Sequence, residues 1–225
     1  MAKQTTPEET LQESVAGAAS KTEQFFSKYG KIIYICFAAL VAVAVLVFCW
    51  SKFVVQPKKA EAAAELFHAE QWFAEGNYEL ALAGDDNYMG LEDIISKYGK
   101  KAGAAVYMYA GVAKLQEGNF EEAIAYLKKY SGKDAILAAR AQACIGDAYV
   151  GLEDYKSALV WFEKAAKTSD NAFSAGYLVK AGEVAEELGD SAKALAFYKK
   201  VKDQYPQAPE AMEIDKYITR IEAAE

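Results

Sequence analysis

Nineteen consecutive residues, Ile32 to Trp50, carry no charge: IIYICFAALVAVAVLVFCW. A helix rises 1.5 Å per residue, so about twenty such residues cross the roughly 30 Å hydrocarbon layer of a bilayer. Lys28 and Lys31 stand at one end, and Lys52, Lys58 and Lys59 at the other. Tyr34 and Trp50 suit the two interfaces, where a ring can keep its polar edge in water. A buried soluble helix is disfavoured because no face of the segment is polar. A cleaved signal peptide is disfavoured because 31 residues precede the run and no small-residue cleavage site follows it. A lipoprotein signal needs a small residue before its Cys, but Cys36 follows Ile35 and Cys49 follows Phe48. The expectation is a retained transmembrane helix over residues 32–55, in contact with membrane lipid. Its orientation stays open, since Lys21, Lys28 and Lys31 on one side balance Lys52, Lys58 and Lys59 on the other. Ala38 and Ala42 form a small-xxx-small pair, expected from chance in so alanine-rich a stretch.

Residues 1–31 form a polar N-terminal segment, with four Lys against four Glu. Its start lacks the apolar content to fold alone, and a short amphipathic helix can run from Thr22 to Lys28. After Pro57 the chain becomes rich in Ala, Glu, Lys and Tyr. Residues 56–225 hold 20 basic and 28 acidic side chains, so the acidity of the chain belongs there. That balance argues against nucleic-acid binding, which needs cations to displace counterions. One His and three Cys argue against most metal sites and against a disulfide scaffold.

Residues 56–225 repeat themselves. EGNYELAL, EGNFEEAI, LEDYKSAL and LGDSAKAL align on Ala81, Ala123, Ala158 and Ala194, spaced by 42, 35 and 36. Upstream, Gly111, Gly146 and Gly182 are spaced by 35 and 36. Such a period is that of a helix–turn–helix repeat. The small upstream residue lets two antiparallel helices approach. The G-N or E-D pair ends the first helix, and Tyr78, Phe120 or Tyr155 packs as the second begins. Leu127, Phe162 and Tyr198 then fill the seam to the next repeat.

These residues resemble the tetratricopeptide (TPR) repeat family. Residues 139–172 carry Gly146, Tyr149, Tyr155, Ala158, Phe162 and Ala165. Residues 175–208 carry Gly182, Gly189, Ala194, Tyr198 and Pro206, with Ser191 in place of the aromatic. Residues 104–137 carry Tyr107, Gly111, Gly118, Phe120, Ala123 and Leu127. A first repeat, residues 62–95, is degenerate, and its second helix is expected to break at AGDDNYMG. A capping helix is expected over residues 209–224, with Met212, Ile214, Tyr217, Ile218 and Ile221 on one face. The fold class is therefore all-α: one N-terminal transmembrane helix, then a TPR solenoid of about four repeats with a cap.

The sequence holds no phosphate-binding loop, no H-E-x-x-H and no G-x-S-x-G. No catalytic, cofactor or metal residues are assigned and no enzyme is expected, nor a small-molecule substrate. His68 reads as packing or surface, Cys144 as a buried inert thiol, and Asp85 and Asp86 as a solvated loop. The first helix of each TPR repeat lines the concave face, which places the candidate partner-binding groove. The apolar positions are Leu66 and Phe73 in repeat 1, beside Glu70, and Met108, Val112 and Leu115 in repeat 2, beside Gln116. Repeat 3 contributes Arg140, Ala143, Asp147 and Val150. Repeat 4 contributes Val179, Glu183, Glu186 and Glu187, so the groove turns acidic. Only Arg140 has the charge for clamping a C-terminal carboxylate, which disfavours that mode. An apolar groove with a methionine suits varied greasy segments. Phe73, Met108 and Leu115 can equally pack against the N-terminal helix or an adjacent repeat.

The span near residue 32, the exit KKAEAAAELF, the interrupted first repeat and GLEDIISKYGKKAGAAVYMYAG followed by EGNFEEAIAYLKKY resemble the ancillary SecYEG translocon subunit (YfgM-like) family. That resemblance implies a bacterial inner-membrane protein, N-terminus cytoplasmic and repeats periplasmic. It implies partners in the translocon, a membrane-anchored chaperone and emerging unfolded polypeptide segments, with a chaperone-like or adaptor role. An organelle import receptor facing the cytosol and a scaffold of another envelope or secretion complex share the same plan.

Overall fold

The computed structural model describes residues 7–223, with side chains from residue 27 onward. Every named element among them is helical, and the chain divides into two units, Met1–Pro57 and Lys58–Glu225.

The first unit is α1 (Pro7–Trp50) followed by a π-helical turn, Ser51–Val55. Helix therefore reaches back through most of the polar segment, of which residues 1–6 lie outside the described residues. The physical reason is that extending a formed helix fixes one residue per hydrogen bond, whereas nucleation is the expensive step. The expected short helix over 22–28 is absorbed into α1. Apolar side chains along the span are exposed, Leu40 by 69% and Phe37 by 65%. This stretch belongs to the one helix among the described residues long and apolar enough to cross a membrane. Pro57 explains the π turn. A proline has no N–H to donate and its ring crowds the carbonyl four residues back, here Phe53. The backbone widens just ahead of it, and Gln56 N–H bonds Ser51 O, five residues back.

The second unit takes up α2 (Gln56–Ala74) from Lys58 on and continues through α3 (Tyr78–Ala83) and α4 (Leu91–Tyr98). Three helical hairpins follow: α5 (Ala105–Gln116) with α6 (Phe120–Leu127), α7 (Ala135–Gly151) with α8 (Tyr155–Thr168), and α9 (Phe173–Glu187) with α10 (Ser191–Gln204). They form a helical solenoid of TPR repeats. The cap begins as a 3₁₀ turn, Pro209–Met212, and continues as α11 (Ile214–Glu222), so the single helix expected over 209–224 is split. Residue 224 lies outside the described residues.

The glycine landmarks set the spacing inside each hairpin. A Cβ on Gly111 would lie 2.5 Å from Leu127 Cγ, one on Gly146 2.6 Å from Phe162 Cε1, and one on Gly182 2.3 Å from Tyr198 Cε1. Leu127, Phe162 and Tyr198 thus press onto the glycine of their own repeat. Leu127 also shares a core with Ala141 and Ile145 of the next repeat, and Phe162 with Ala181 and Val184. Burying such a side chain contributes about 1.5–3 kcal/mol. Asp154 and Asp190 do more than end the preceding helix: each side chain caps the next one, accepting Ser157 N–H at 3.1 Å and Lys193 N–H at 3.0 Å.

Repeat 1 departs from this plan. Ala69 holds the glycine's place, and the residue matching Leu127 is Asp85, which lies in a turn. Its carboxylate accepts Asn87 N–H at 2.8 Å and Tyr88 N–H at 2.7 Å. Gly84 and Met89 form a bridge, and the Gly84–Gly90 neck has no room for a Cβ on either. The helix broken at residues 84–90 resumes as α4, whose Leu91, Ile94 and Tyr98 complete a core with Ala62, Leu66 and Ala69.

Candidate functional site

The side chains assigned to a groove differ in exposure. Leu66 is 7% exposed and belongs to the repeat 1 core. Leu91 and Ile94 of α4 belong to that same core. Phe73 is half-buried, its ring 5.5 Å from Tyr78 and 5.0 Å from Tyr109. That favours the packing alternative for Phe73. Val112 and Leu115 are half-buried against the core of Ala123, Ile124 and Leu127. Met108 is half-buried outside those cores, and Arg140 is exposed. Ala143 is buried.

The chain does form a cleft where α7, α8, α9 and α11 meet. About 660 Å³ is lined by Asp147, Val150, Tyr155, Phe162, Lys180, Glu183, Val184, Glu186, Glu187, Tyr217 and Arg220. Five of these, Asp147, Val150, Glu183, Glu186 and Glu187, come from the positions read as groove-facing. They share the cleft because consecutive first helices present the same register to one side. Lys180 Nζ donates to Asp147 Oδ1 at 2.6 Å, joining α9 to α7. Arg220 Nη2 donates to both Glu186 oxygens, at 2.6 and 2.7 Å, joining α11 to α9. Tyr198 hydroxyl donates to Glu186 Oε1 at 2.6 Å. Burial, reinforced by Glu186, pushes that hydroxyl far above its usual range, so it remains a donor. Glu186 is thereby fixed by two neighbours.

Partial desolvation on the cleft wall pushes the Glu183 carboxyl up. Lys180 opposes the shift, and Glu186 adds to it. The cleft combines these fixed charges with the apolar lining of Val150 and Tyr217. No group of His, Cys, Asp and Glu among the described residues could hold a metal ion. Cys144 is buried among Ala141, Ile145 and Ala148, and burial, helped by Asp147, pushes its thiol up to about 11. His68 stacks on Tyr88 at 3.6 Å, which ties the inserted loop to α2.

Sequence reasoning missed Tyr217 and Arg220. They sit three apart on α11, beside the buried stripe of Ile214, Ile218 and Ile221. Tyr217 reads from the sequence only as part of the cap's apolar face, and Arg220 lies outside the repeat register, so neither carries a local signal. Lys180 was also missed. It occupies in repeat 4 the place of Cys144 in repeat 3.

Comparison with known proteins agrees with this architecture. Residues 104–131 and 139–171 match one tetratricopeptide repeat model, and residues 177–208 match a second. The matched stretches lie in repeats 2, 3 and 4. Among solved structures the chain is similar to the "Crystal structure of MamA", at 18% identity and a TM-score of 0.52. The likeness covers 69% of this chain and 95% of that one, and it shows the fold alone. No curated protein matches the chain. Tetratricopeptide repeats are present, and they support a protein–protein interaction module.

Proposed function

We propose that this protein is a membrane-anchored adaptor that holds polypeptide segments on the first-helix face of its repeats, as an accessory subunit of the Sec translocon. In this reading residues 32–55 cross a bacterial inner membrane, the N-terminus is cytoplasmic and the repeats are periplasmic. The repeats then receive emerging chains beside the channel and a membrane-anchored chaperone. Tethering raises the local concentration of such a module near other membrane proteins. The observation that carries the reading is the cleft on the first-helix face, with its fixed ion pairs and apolar lining. The translocon assignment rests on the resemblance of residues 25–225 to the ancillary subunit family.

The test is photo-crosslinking in native membranes from Met108 and Val150, with Val160, exposed on α8, as the control position. Capture of channel subunits and translocating chains from Met108 and Val150, but not Val160, is the expected result. The same products from all three positions, or none from Met108 and Val150, would remove the assignment.

A further inference from the structure

The cleft is out of charge balance. Asp147, Glu183, Glu186 and Glu187 face only Lys180 and Arg220. Both cations are engaged within the protein, Lys180 by Asp147 and Arg220 by Glu186. Glu183 and Glu187 have no hydrogen-bond or ion-pair partner among the described residues. They stand four apart on α9, so their side chains are neighbours on one helix face. One ammonium or guanidinium group can reach both. Lys180 lies over the buried Phe162 ring and Arg220 over Tyr217, which leaves half-buried Val150 as apolar lining of the kind along which a Lys or Arg stem packs while its head stays with the charge.

We propose that this cleft takes a Lys- or Arg-bearing extended segment of a partner polypeptide, its cationic head held by Glu183 and Glu187 and its stem against Val150. Charge complementarity selects this occupant. An acidic segment would meet like charge at Glu183 and Glu187, and a neutral one would make no ion pair with them. A second argument comes from the free protein. Glu183 is exposed on the cleft wall, where partial desolvation pushes its carboxyl up against the opposing pull of Lys180 and Arg220. A bound cation offsets that desolvation. The inference rests on the repeats being a polypeptide-binding module.

The test uses the full-length protein in phosphatidylcholine nanodiscs and three fluorescent peptides, alternating Leu with Lys, Ser or Glu, with empty nanodiscs as the blank. The Lys peptide should bind about ten-fold more tightly than the Ser peptide, a gap that narrows as salt rises. Glu183→Gln/Glu187→Gln should abolish the gap and leave the Ser peptide unaffected. Glu183→Gln alone should narrow the gap and raise the melting temperature at neutral pH. A carboxyl shifted up in the folded state loses stability as pH rises through its folded value. The Gln variant should therefore gain nothing below pH ~4, where folded and unfolded carboxyls are both protonated. Equal binding of Lys and Ser peptides, or a double variant with an unchanged gap, overturns the charge assignment and leaves the polypeptide-binding reading intact. No binding of any peptide overturns both.

Discussion

Gly182→Ala should be costly although alanine is the better helix former. An added Cβ would sit 2.3 Å from Tyr198 Cε1, 2.7 Å from Cζ and 2.9 Å from Cδ1. Ordinary carbon contacts are about 3.5–4.0 Å, so the ring would have to retreat by roughly 1 Å. It has little freedom to do so. Tyr198 is 0% exposed, and its hydroxyl is bonded to Glu186 at 2.6 Å. Overpacking of this kind costs ~1–3 kcal/mol. Displacing the hydroxyl from a charged acceptor adds ~1 kcal/mol. Alanine returns about 1 kcal/mol of helix propensity. The expected net loss is ~2 kcal/mol, read as a lower midpoint in urea unfolding of the full-length protein in detergent, followed by far-ultraviolet circular dichroism. In a Tyr198→Ala background the same substitution should be neutral or gain up to about 1 kcal/mol. A Gly182→Ala variant as stable as wild type, or one equally destabilised in both backgrounds, would refute the account of the glycine landmark.

Two further outcomes follow from local geometry. Glu153 is the only non-glycine among the described residues with positive φ, 58°, at the turn position held by Gly76, Gly118 and Gly189 in the other repeats. Left-handed backbone costs a side-chain-bearing residue ~1–2 kcal/mol, and glycine's extra unfolded-state freedom offsets part of the gain. Glu153→Gly should therefore raise stability by ~0.5–1 kcal/mol, measured in the same urea titration. Cys144, its thiol pushed up to about 11 by burial and by Asp147, should resist alkylation at neutral pH in the folded protein. In a Cys36→Ser/Cys49→Ser background, mass spectrometry should find Cys144 modified only after denaturant is added.

The repeat architecture was legible because it depends on short-range rules written into single positions. Gly111, Gly146 and Gly182 recur with the aligned alanines, and the structure shows the steric reason, a large side chain pressed onto each glycine. The break at residues 84–90 was legible for the same reason, since Gly-Asp-Asp-Asn cannot continue a packed helix. What could not be read was how repeat 1 compensates. Leu66 holds a groove position in a regular repeat, but α4 closes over it, and the pairing of α4 with α2 is a tertiary fact that no local pattern carries. The reach of α1 back to Pro7 follows from helix propagation, which the polarity of residues 1–31 does not reveal. The cleft was half legible. Its carboxylates follow from repeat register, whereas Arg220 and Tyr217 enter from α11, outside that register.

The irregular first repeat has a consequence for how such an array can change over time. Repeats 2 to 4 present interchangeable faces, a glycine on one helix and a bulky partner on the next, so copying or losing one of them leaves the neighbouring seams satisfied. Repeat 1 lacks that interchangeable seam, because Asp85 stands where the bulky partner belongs and α4 fills the space from elsewhere. A duplicate inserted ahead of it would meet no matching surface. The array is free to lengthen or shorten only on its C-terminal side, and the first repeat acts as a fixed origin from which the others are counted.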